Sequence, residues 1–211
     1  MYKMESIEKY VLEHTADENE LLKELYRETH VKIYHPRMLS GHLQGKILKM
    51  LSHMIAPYRI LEIGTYTGYS ALCLAEGLLP GGLLHTIEIN DELEEFIRLY
   101  INRSPHASKI KLHIGNAINI IPSLDDTFDL VFIDGDKREY LAYYHAVFNK
   151  VRQGGFIIAD NVLWNGKVLN PNENDEFTKS IREFNDYVHY DTRVENVMLP
   201  VRDGMMILRK I

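Results

Sequence analysis

The sequence has little cysteine and no long apolar run. Its single cysteine, Cys73, cannot form an internal disulfide, which is typical of a protein in a reducing compartment. No segment approaches the roughly 20 apolar residues that span a bilayer. The polar N-terminal residues MYKMESIEKY also lack the apolar core of a signal peptide. We therefore predict a cytoplasmic protein without a membrane segment.

Basic residues are outnumbered by acidic ones. The 24 Lys and Arg against 30 Asp and Glu give a formal net charge of −6. Because affinity for nucleic acid rests mainly on basic residues, this balance disfavours a large phosphate-binding surface, although a local basic groove stays open. Sharp shifts in composition and internal repeats are missing too, so we predict one domain over residues 1–211.

From Arg59 onward, short apolar or β-branched runs alternate with longer helical patterns, which is the order of a parallel sheet covered by helices. Before Arg59, apolar spacing predicts that residues 1–58 form helices packed on that sheet. A capping residue, Asp91, followed by Glu94 predicts the start of one helix. The predicted strands are 59–64, 83–89, 109–115, 130–135 and 154–161, the predicted helices 69–79, 91–103, 117–124 and 138–151, and an antiparallel hairpin joins 194–200 to 204–211.

Two glycines lie where the first strand passes into a helix, in the segment LEIGTYTGYS. Gly64 and Gly68 would let the backbone approach a ligand closely. Glu88 ends the next strand, where a carboxylate can accept both ribose hydroxyl hydrogens of an adenosine cofactor. The G-x-x-x-G spacing lacks the third glycine of a dinucleotide fingerprint. Glu62 suits a cofactor with a cationic amino-acid end better than a pyrophosphate. A tight turn that binds no ligand is the alternative interpretation.

Acidic and amide side chains follow two neighbouring strands at their carboxyl ends. Asp134, Asp136 and Lys137 follow the run LVFI, and Asp160 and Asn161 follow FIIA. Open α/β sheets bind their ligands at this edge, and hard oxygen donors suit Mg²⁺, whereas zinc would call for His or Cys. Since a nearby cation disfavours the charged form of a lysine, Lys137 is the candidate general base. The alternative is that Asp160 and Asn161 cap a helix and that Asp136 and Lys137 form a solvated pair.

These segments resemble the cation-dependent O-methyltransferases of the catechol and caffeoyl-CoA type, including their bacterial members. The resemblance extends from about Pro36 to Ile211, through LEIGTYTGYSALCLA, TIEIND, GNAINIIPSL, FDLVFIDGDKREYLAYY, GGFIIADNVLWNGKV and DGMMILRK. It implies an α/β fold with a Rossmann-like seven-stranded methyltransferase sheet, an antiparallel last strand and helices on both faces. It also implies an S-adenosylmethionine-dependent enzyme.

The resemblance further implies individual roles. Asp134, Asp160 and Asn161 would bind Mg²⁺ or another hard divalent cation such as Mn²⁺ or Ca²⁺, and Lys137 and Asp134 would be the catalytic residues. The methionine end of the cofactor would lie at Gly64, Tyr66 and Ser70, the ribose at Glu88, the adenine at Asn116 and Ala117, with Ser40 approaching from the N-terminal segment. With Glu62 and Asp134 added, the predicted S-adenosylmethionine site comprises Ser40, Glu62, Gly64, Tyr66, Ser70, Glu88, Asn116, Ala117 and Asp134.

The identity of the acceptor stays open, because Trp164, Asn165 and residues 170–176 occupy positions that vary within the family. Methyl transfer is an in-line displacement that needs an aligned, deprotonated oxygen. Chelation of vicinal oxygens by a cation serves both needs, which predicts a catechol- or phenol-like small molecule. The alternative within the family is a wobble hydroxyuridine of tRNA.

Two readings from other classes also stay open, a nicotinamide-dependent reductase and a non-catalytic adenosine-binding module. The glycine spacing disfavours a reductase, and a non-catalytic adenosine-binding module would not explain the acidic cluster. A homodimer is predicted from the bacterial members of the family and from the apolar N-terminal helices.

Overall fold

Seven strands form one sheet in the computed structural model of the protein, which describes residues 4–211. The strands are β1 (Arg59–Ile63), β2 (Leu83–Glu88), β3 (Ile110–Ile114), β4 (Phe128–Ile133), β5 (Val151–Asp160), β6 (Val194–Leu199) and β7 (Met205–Lys210). Their order across the sheet is β3-β2-β1-β4-β5-β7-β6, and β7 runs antiparallel to both of its neighbours. The other pairings are parallel. The predicted fold class, including the antiparallel hairpin, is confirmed.

Eight α-helices surround this sheet within the described residues. They are α1 (Met4–Glu13), α2 (Glu20–Lys32), α3 (Gly41–Ile55), α4 (Tyr69–Ala75), α5 (Glu94–Arg103), α6 (Ala117–Ile120), α7 (Tyr140–Phe148) and α8 (Glu176–Tyr190). In the N-terminal segment, α2 and α3 pack against α4, the helix that follows β1. Between residues 4 and 211, no helix has both the length and the apolar character to cross a membrane.

The core has one layer on each face of the sheet. Successive residues of a strand point to opposite faces, so Leu61 and Ile63 join the layer under α6, α7 and α8 while Ile60 joins the layer under α2 to α5. All three side chains are buried. Central strands covered on both faces read as nearly continuous apolar runs, which is why β1 and β4 were recognisable from sequence.

Each predicted helix has a boundary that differs from the structure. The helices predicted over 69–79 and 117–124 end at Ala75 and Ile120. The helix predicted from Asp91 begins instead at Glu94, after a 3₁₀ turn that is capped by Asn90, whose side chain accepts a hydrogen bond from the Glu92 N–H at 3.1 Å. The helix predicted over 138–151 ends at Phe148, because Val151 already pairs with Phe128 across β4 and β5.

Helix α8 lies outside the predicted elements. Asp175 caps it by accepting from the Thr178 N–H at 3.1 Å, and Ile181, Phe184 and Val188 are buried along one face. Their spacing of three and four residues is that of an amphipathic helix. The signal was therefore present in the sequence, downstream of the last parallel strand.

Candidate active site

A cleft of about 640 Å³ opens at the carboxyl ends of β1, β2, β4 and β5. It joins the glycine loop to the acidic cluster. Of the predicted site residues, those that line the cleft are Gly64, Tyr66, Glu88, Ala117, Asp134, Lys137 and Asn161. The remaining ones do not line it: Ser40, Glu62, Ser70 and Asp160 are buried, and Asn116 precedes Ala117 and caps α6.

The two glycines of the loop serve different needs. Both have a positive φ, +97° at Gly64 and +91° at Gly68, where a side chain is strained. A Cβ at Gly64 would also lie 2.3 Å from the main-chain oxygen of Asp134, whereas one at Gly68 would meet Ile97 at an ordinary 3.6 Å. Gly64 is thus needed for the close approach of β1 to β4, in addition to the predicted approach to a ligand.

Glu88 is held in place by main-chain donors. The Tyr66 N–H donates to Oε2 at 2.6 Å, and the Asn90 N–H donates to Oε1 at 2.9 Å. Burial raises the pKa of Glu88, and these main-chain hydrogen bonds offset part of that effect. Each carboxylate oxygen keeps a further lone pair, so the side chain can still accept hydrogen bonds from a ligand in the cleft.

Glu62 lies fully buried on β1. Its Oε2 accepts a hydrogen bond from the Thr86 hydroxyl at 2.5 Å, but its Oε1 has no partner among the described residues. Burial raises the pKa of Glu62 to about 8, and the hydroxyls of Ser70 and Thr86 offset part of the effect. An unpaired buried carboxylate oxygen is costly, and a cationic ligand group would satisfy it.

The acidic cluster forms where β4 and β5 end side by side. Lys137, a residue that is 8% exposed, donates from Nζ to Asp134 Oδ1 at 2.7 Å. Burial raises the pKa of Asp134 to about 6, and the negative charge of Asp160 raises it further while Lys137 lowers it. Asp136 lies apart from this pair. Its carboxylate forms hydrogen bonds with the Arg138 guanidinium, so the alternative that paired Asp136 with Lys137 is wrong.

The donor set of this cluster fits a hard divalent cation. Asp134 and Asp160 offer carboxylates that repel each other, and Asn161, with φ +55°, lines the cleft beside them. Within residues 4–211, no three or more His, Cys, Asp or Glu side chains are grouped to hold a metal. The amide oxygen of Asn161 would add a third donor to the two carboxylates. Oxygen-only donors suit Mg²⁺, Mn²⁺ or Ca²⁺ better than zinc.

Several residues of the site were missed or left without a role by the sequence. Tyr140 is fully buried and contacts Lys137, and Tyr143 and Met38 line the cleft. Trp164 stacks on Phe177 with ring centroids 5.8 Å apart and an interplanar angle of 23°, which makes an aromatic wall. The tyrosine-rich segment YLAYY, which follows the acidic cluster, was the available signal for Tyr140.

Known proteins show the same architecture over the same length. The model of the O-methyltransferase family matches residues 12–211. The chain belongs to the O-methyltransferase family. This confirms the resemblance to the cation-dependent group and the predicted enzyme class, the S-adenosylmethionine-dependent O-methyltransferases.

Individual relatives of this methyltransferase are similar over nearly their full length. Caffeoyl-CoA O-methyltransferase 2 of Zea mays is 35% identical over 229 residues, which cover 100% of this chain and 85% of the relative. Caffeoyl-CoA O-methyltransferase 5 of Nicotiana tabacum is 33% identical, over 98% of this chain and 92% of the relative.

Solved structures agree with these sequence comparisons. The O-methyltransferase TomG from Streptomyces achromogenes, in complex with SAM, is 28% identical with a TM-score of 0.91, over 100% of this chain and 99% of that one. An O-methyltransferase from Bacillus cereus, in complex with SAH, is 27% identical with a TM-score of 0.90, over 98% and 97%.

Proposed function

We propose that the protein transfers the methyl group of S-adenosylmethionine to a hydroxyl of a catechol- or phenol-like small molecule, with a hard divalent cation bound. The observation that carries this proposal is that the glycine loop and Glu88 line the same cleft as Asp134, Lys137 and Asn161. Because both groups face the same space, a methyl donor and an acceptor held by them would meet.

The cofactor half of the cleft offers a partner for each end of S-adenosylmethionine. Glu88 presents two carboxylate oxygens, which suit the two ribose hydroxyls. The unpaired Oε1 of buried Glu62, with Ser70 nearby, suits the cationic amino group of the methionine end. Ala117, which lines the cleft, would border the adenine, next to Asn116. Ser40, buried at the start of α3, would approach the cofactor from the N-terminal segment.

The binding of the cofactor can be tested by calorimetry. Wild type should bind S-adenosylmethionine, and Glu88→Ala should lose most of that affinity because the ribose hydroxyls then lack their acceptor. Glu95→Ala, on the next helix, removes a carboxylate outside the cleft and is the matched control. Equal affinity in wild type and Glu88→Ala would remove Glu88 from the site.

The catalytic half combines charge and a base. Asp134, Asp160 and Asn161 would hold Mg²⁺ or a similar cation. Such an ion, when bound, favours the ionised form of a hydroxyl that it ligates. Lys137 lines the same cleft, and its Nζ is the atom to which the acceptor hydroxyl would pass its proton. Phenols have a pKa of about 10, so help with deprotonation matters near neutral pH.

The walls of the acceptor end favour a small aromatic acceptor. The stacked rings of Trp164 and Phe177 provide a flat apolar surface. Four acidic residues line the cleft, Glu88, Asp134, Asp136 and Glu139, against two basic ones, Lys137 and Arg138. Both basic side chains are already paired with carboxylates. This charge disfavours the polyanionic backbone of tRNA, the alternative acceptor.

One pair of assays decides between the two acceptors. Purified enzyme with S-adenosylmethionine and Mg²⁺ should methylate a catechol, and Lys137→Ala should be at least about a hundredfold slower at neutral pH, the scale of a lost general base. Mass spectrometry of tRNA nucleosides from a deletion strain should show no change. If that strain lost a methylated wobble uridine and the enzyme did not turn over catechols, the acceptor would be tRNA and not a small molecule.

A further inference from the structure

We propose that Tyr140 is a positioning residue for Lys137, whose side-chain nitrogen it holds against the ends of β4 and β5. This inference rests on the proposed function, because it assigns Lys137 as the base. Tyr140 does not line the cleft and is fully buried at the start of α7. It would therefore act through the lysine and not on the acceptor itself.

The hydroxyl of Tyr140 is committed as a donor to the main chain. Its Oη lies 3.0 Å from the carbonyl oxygen of Asp160 and 3.3 Å from that of Ile133. A phenol has one hydrogen, and a carbonyl can only accept, so that hydrogen is directed to β4 or β5. The oxygen itself accepts a hydrogen bond from Lys137 Nζ at 2.7 Å. Towards the lysine, Tyr140 can only accept.

Two acceptors hold the lysine nitrogen in place. Lys137 Nζ lies 2.7 Å from Asp134 Oδ1 and 2.7 Å from Tyr140 Oη. Asp134 follows β4, and Tyr140 is itself bonded to the main chain at the end of β5. The two contacts therefore fix the nitrogen relative to both strand ends, at the wall of the cleft that Lys137 lines.

Tyr140 also gives the flexible side chain of Lys137 a rigid hydrogen-bond partner. A lysine side chain has four rotatable bonds and loses much entropy when it is ordered. The tyrosine ring is fixed by burial and by an edge-to-face contact with Phe184, whose ring centroid is 5.5 Å away. Because its hydroxyl bridges Lys137 to the main chain of Asp160, it sets the base relative to the end of β5.

The test compares two tyrosines of the same helix. Tyr140→Phe removes one oxygen and keeps the ring. Tyr144→Phe removes the same atom from another buried ring of α7, whose hydroxyl bonds Asp191 at 2.8 Å, away from the cleft. We expect Tyr140→Phe to lower kcat about tenfold or more, a part of what a general base contributes. KM for a catechol and the calorimetric Kd for S-adenosylmethionine should stay within about twofold of wild type, and Tyr144→Phe should turn over like wild type.

A double variant separates positioning from a general structural role. If Tyr140 acts through the lysine, Lys137→Ala/Tyr140→Phe should be no slower than Lys137→Ala alone, because the two residues work as one unit. An equal further loss in the double variant would overturn the inference, as would wild-type kcat in Tyr140→Phe. If Lys137→Ala itself turns over like wild type, the proposed base is wrong, an outcome distinct from failure of the tyrosine alone.

Discussion

Arg202 donates a hydrogen bond from its Nη1 to Gln44 Oε1 at 2.6 Å and thereby joins the β6–β7 turn to helix α3. Gln44 is 2% exposed, and its Nε2 has no partner in the described part of the chain. Arg202 has φ +51°, a left-handed conformation that is strained for any residue except glycine. The backbone strain and the partly buried hydrogen bond thus meet at one residue, whose positive charge also lowers the pKa of Asp134.

The Arg202–Gln44 contact predicts a measurable coupling. Arg202→Gly should relieve about 1 kcal/mol of backbone strain. It should also lose a charge-assisted hydrogen bond of about 1.5–3 kcal/mol, so the net effect is destabilising. Urea unfolding of Arg202→Gly, Gln44→Ala and the double variant gives the interaction energy, which we expect to be about 1–2 kcal/mol. Simple additivity of the two single effects would show that the contact contributes nothing.

The two glycines of the loop predict unequal costs for the same substitution. Gly68→Ala should cost about 1 kcal/mol, because only the left-handed conformation opposes it. Gly64→Ala meets the same strain and also places a methyl 2.3 Å from the Asp134 carbonyl oxygen, so we expect about 3 kcal/mol or more. Urea unfolding measures both. Equal costs would mean that the β1–β4 approach relaxes freely.

Glu62 predicts a pH dependence of stability. Its pKa is raised from 4.5 to about 8 by burial, so between those values the folded protein binds more protons than the unfolded chain. Its contribution is therefore lost as pH rises, by up to about 1.4 kcal/mol per pH unit. Glu62→Gln cannot titrate there. In unfolding experiments without cofactor, the free energy of unfolding of Glu62→Gln should rise steadily relative to that of wild type from pH 5 to pH 8. A gap that is constant over this range would show that Glu62 stays ionised.

Metal dependence follows from the oxygen donors at the ends of β4 and β5. Chelator should abolish methylation of a catechol, and added Mg²⁺ should restore it. Asp160→Ala should stay inactive after Mg²⁺ is added, since removing a ligand leaves the acceptor unheld. Asp186→Ala, which removes a carboxylate from α8 far along the chain from the cluster, serves as the control. Full activity of chelator-treated wild type would refute the role of the metal.

Association into a homodimer is expected from the N-terminal helices. Their apolar side chains Tyr10, Val31 and Met54 are 61%, 70% and 77% exposed, which is unfavourable unless another surface covers them. Light scattering at micromolar concentration should give twice the 24.6 kDa of one chain. Tyr10→Glu/Val31→Glu should shift the protein towards monomer, while Val197→Glu on β6 should not. A mass of one chain for wild type would contradict the expectation.

Much of the fold could be predicted from the sequence because strands and helices produce local periodic patterns of apolar residues. The strand runs ending at Glu88 and Asp160, and the hairpin near Gly204, have patterns that depend only on neighbouring residues. Placing Asp134 and Asn161 at one edge needed only the rule that parallel strands end together. The structure bears out that placement, since both line one cleft.

The rest depends on contacts between distant segments. Tyr140 bonds the carbonyl of Asp160, 20 residues away, and no spacing rule predicts that contact. Asn90 and not Asp91 caps the turn after β2, and because either side chain can accept such a hydrogen bond, the sequence alone does not distinguish them. The close packing of Gly64 against the Asp134 carbonyl could not be predicted from the sequence either, because that carbonyl follows β4, a distant segment of the chain.

The position of β7 has a consequence for biosynthesis. It leaves the ribosome after the other six strands of the sheet, yet it lies between β5 and β6. Its turn also holds the loop after β5, through hydrogen bonds from the Val162 N–H to the Gly204 oxygen and from the Leu163 N–H to the Asp203 oxygen. Until these residues emerge from the exit tunnel, β5 is an open edge and the loop that carries Trp164 lacks these two hydrogen bonds. The nascent chain can thus bury its first strands early, but it acquires a complete cleft only after translation has passed residue 210.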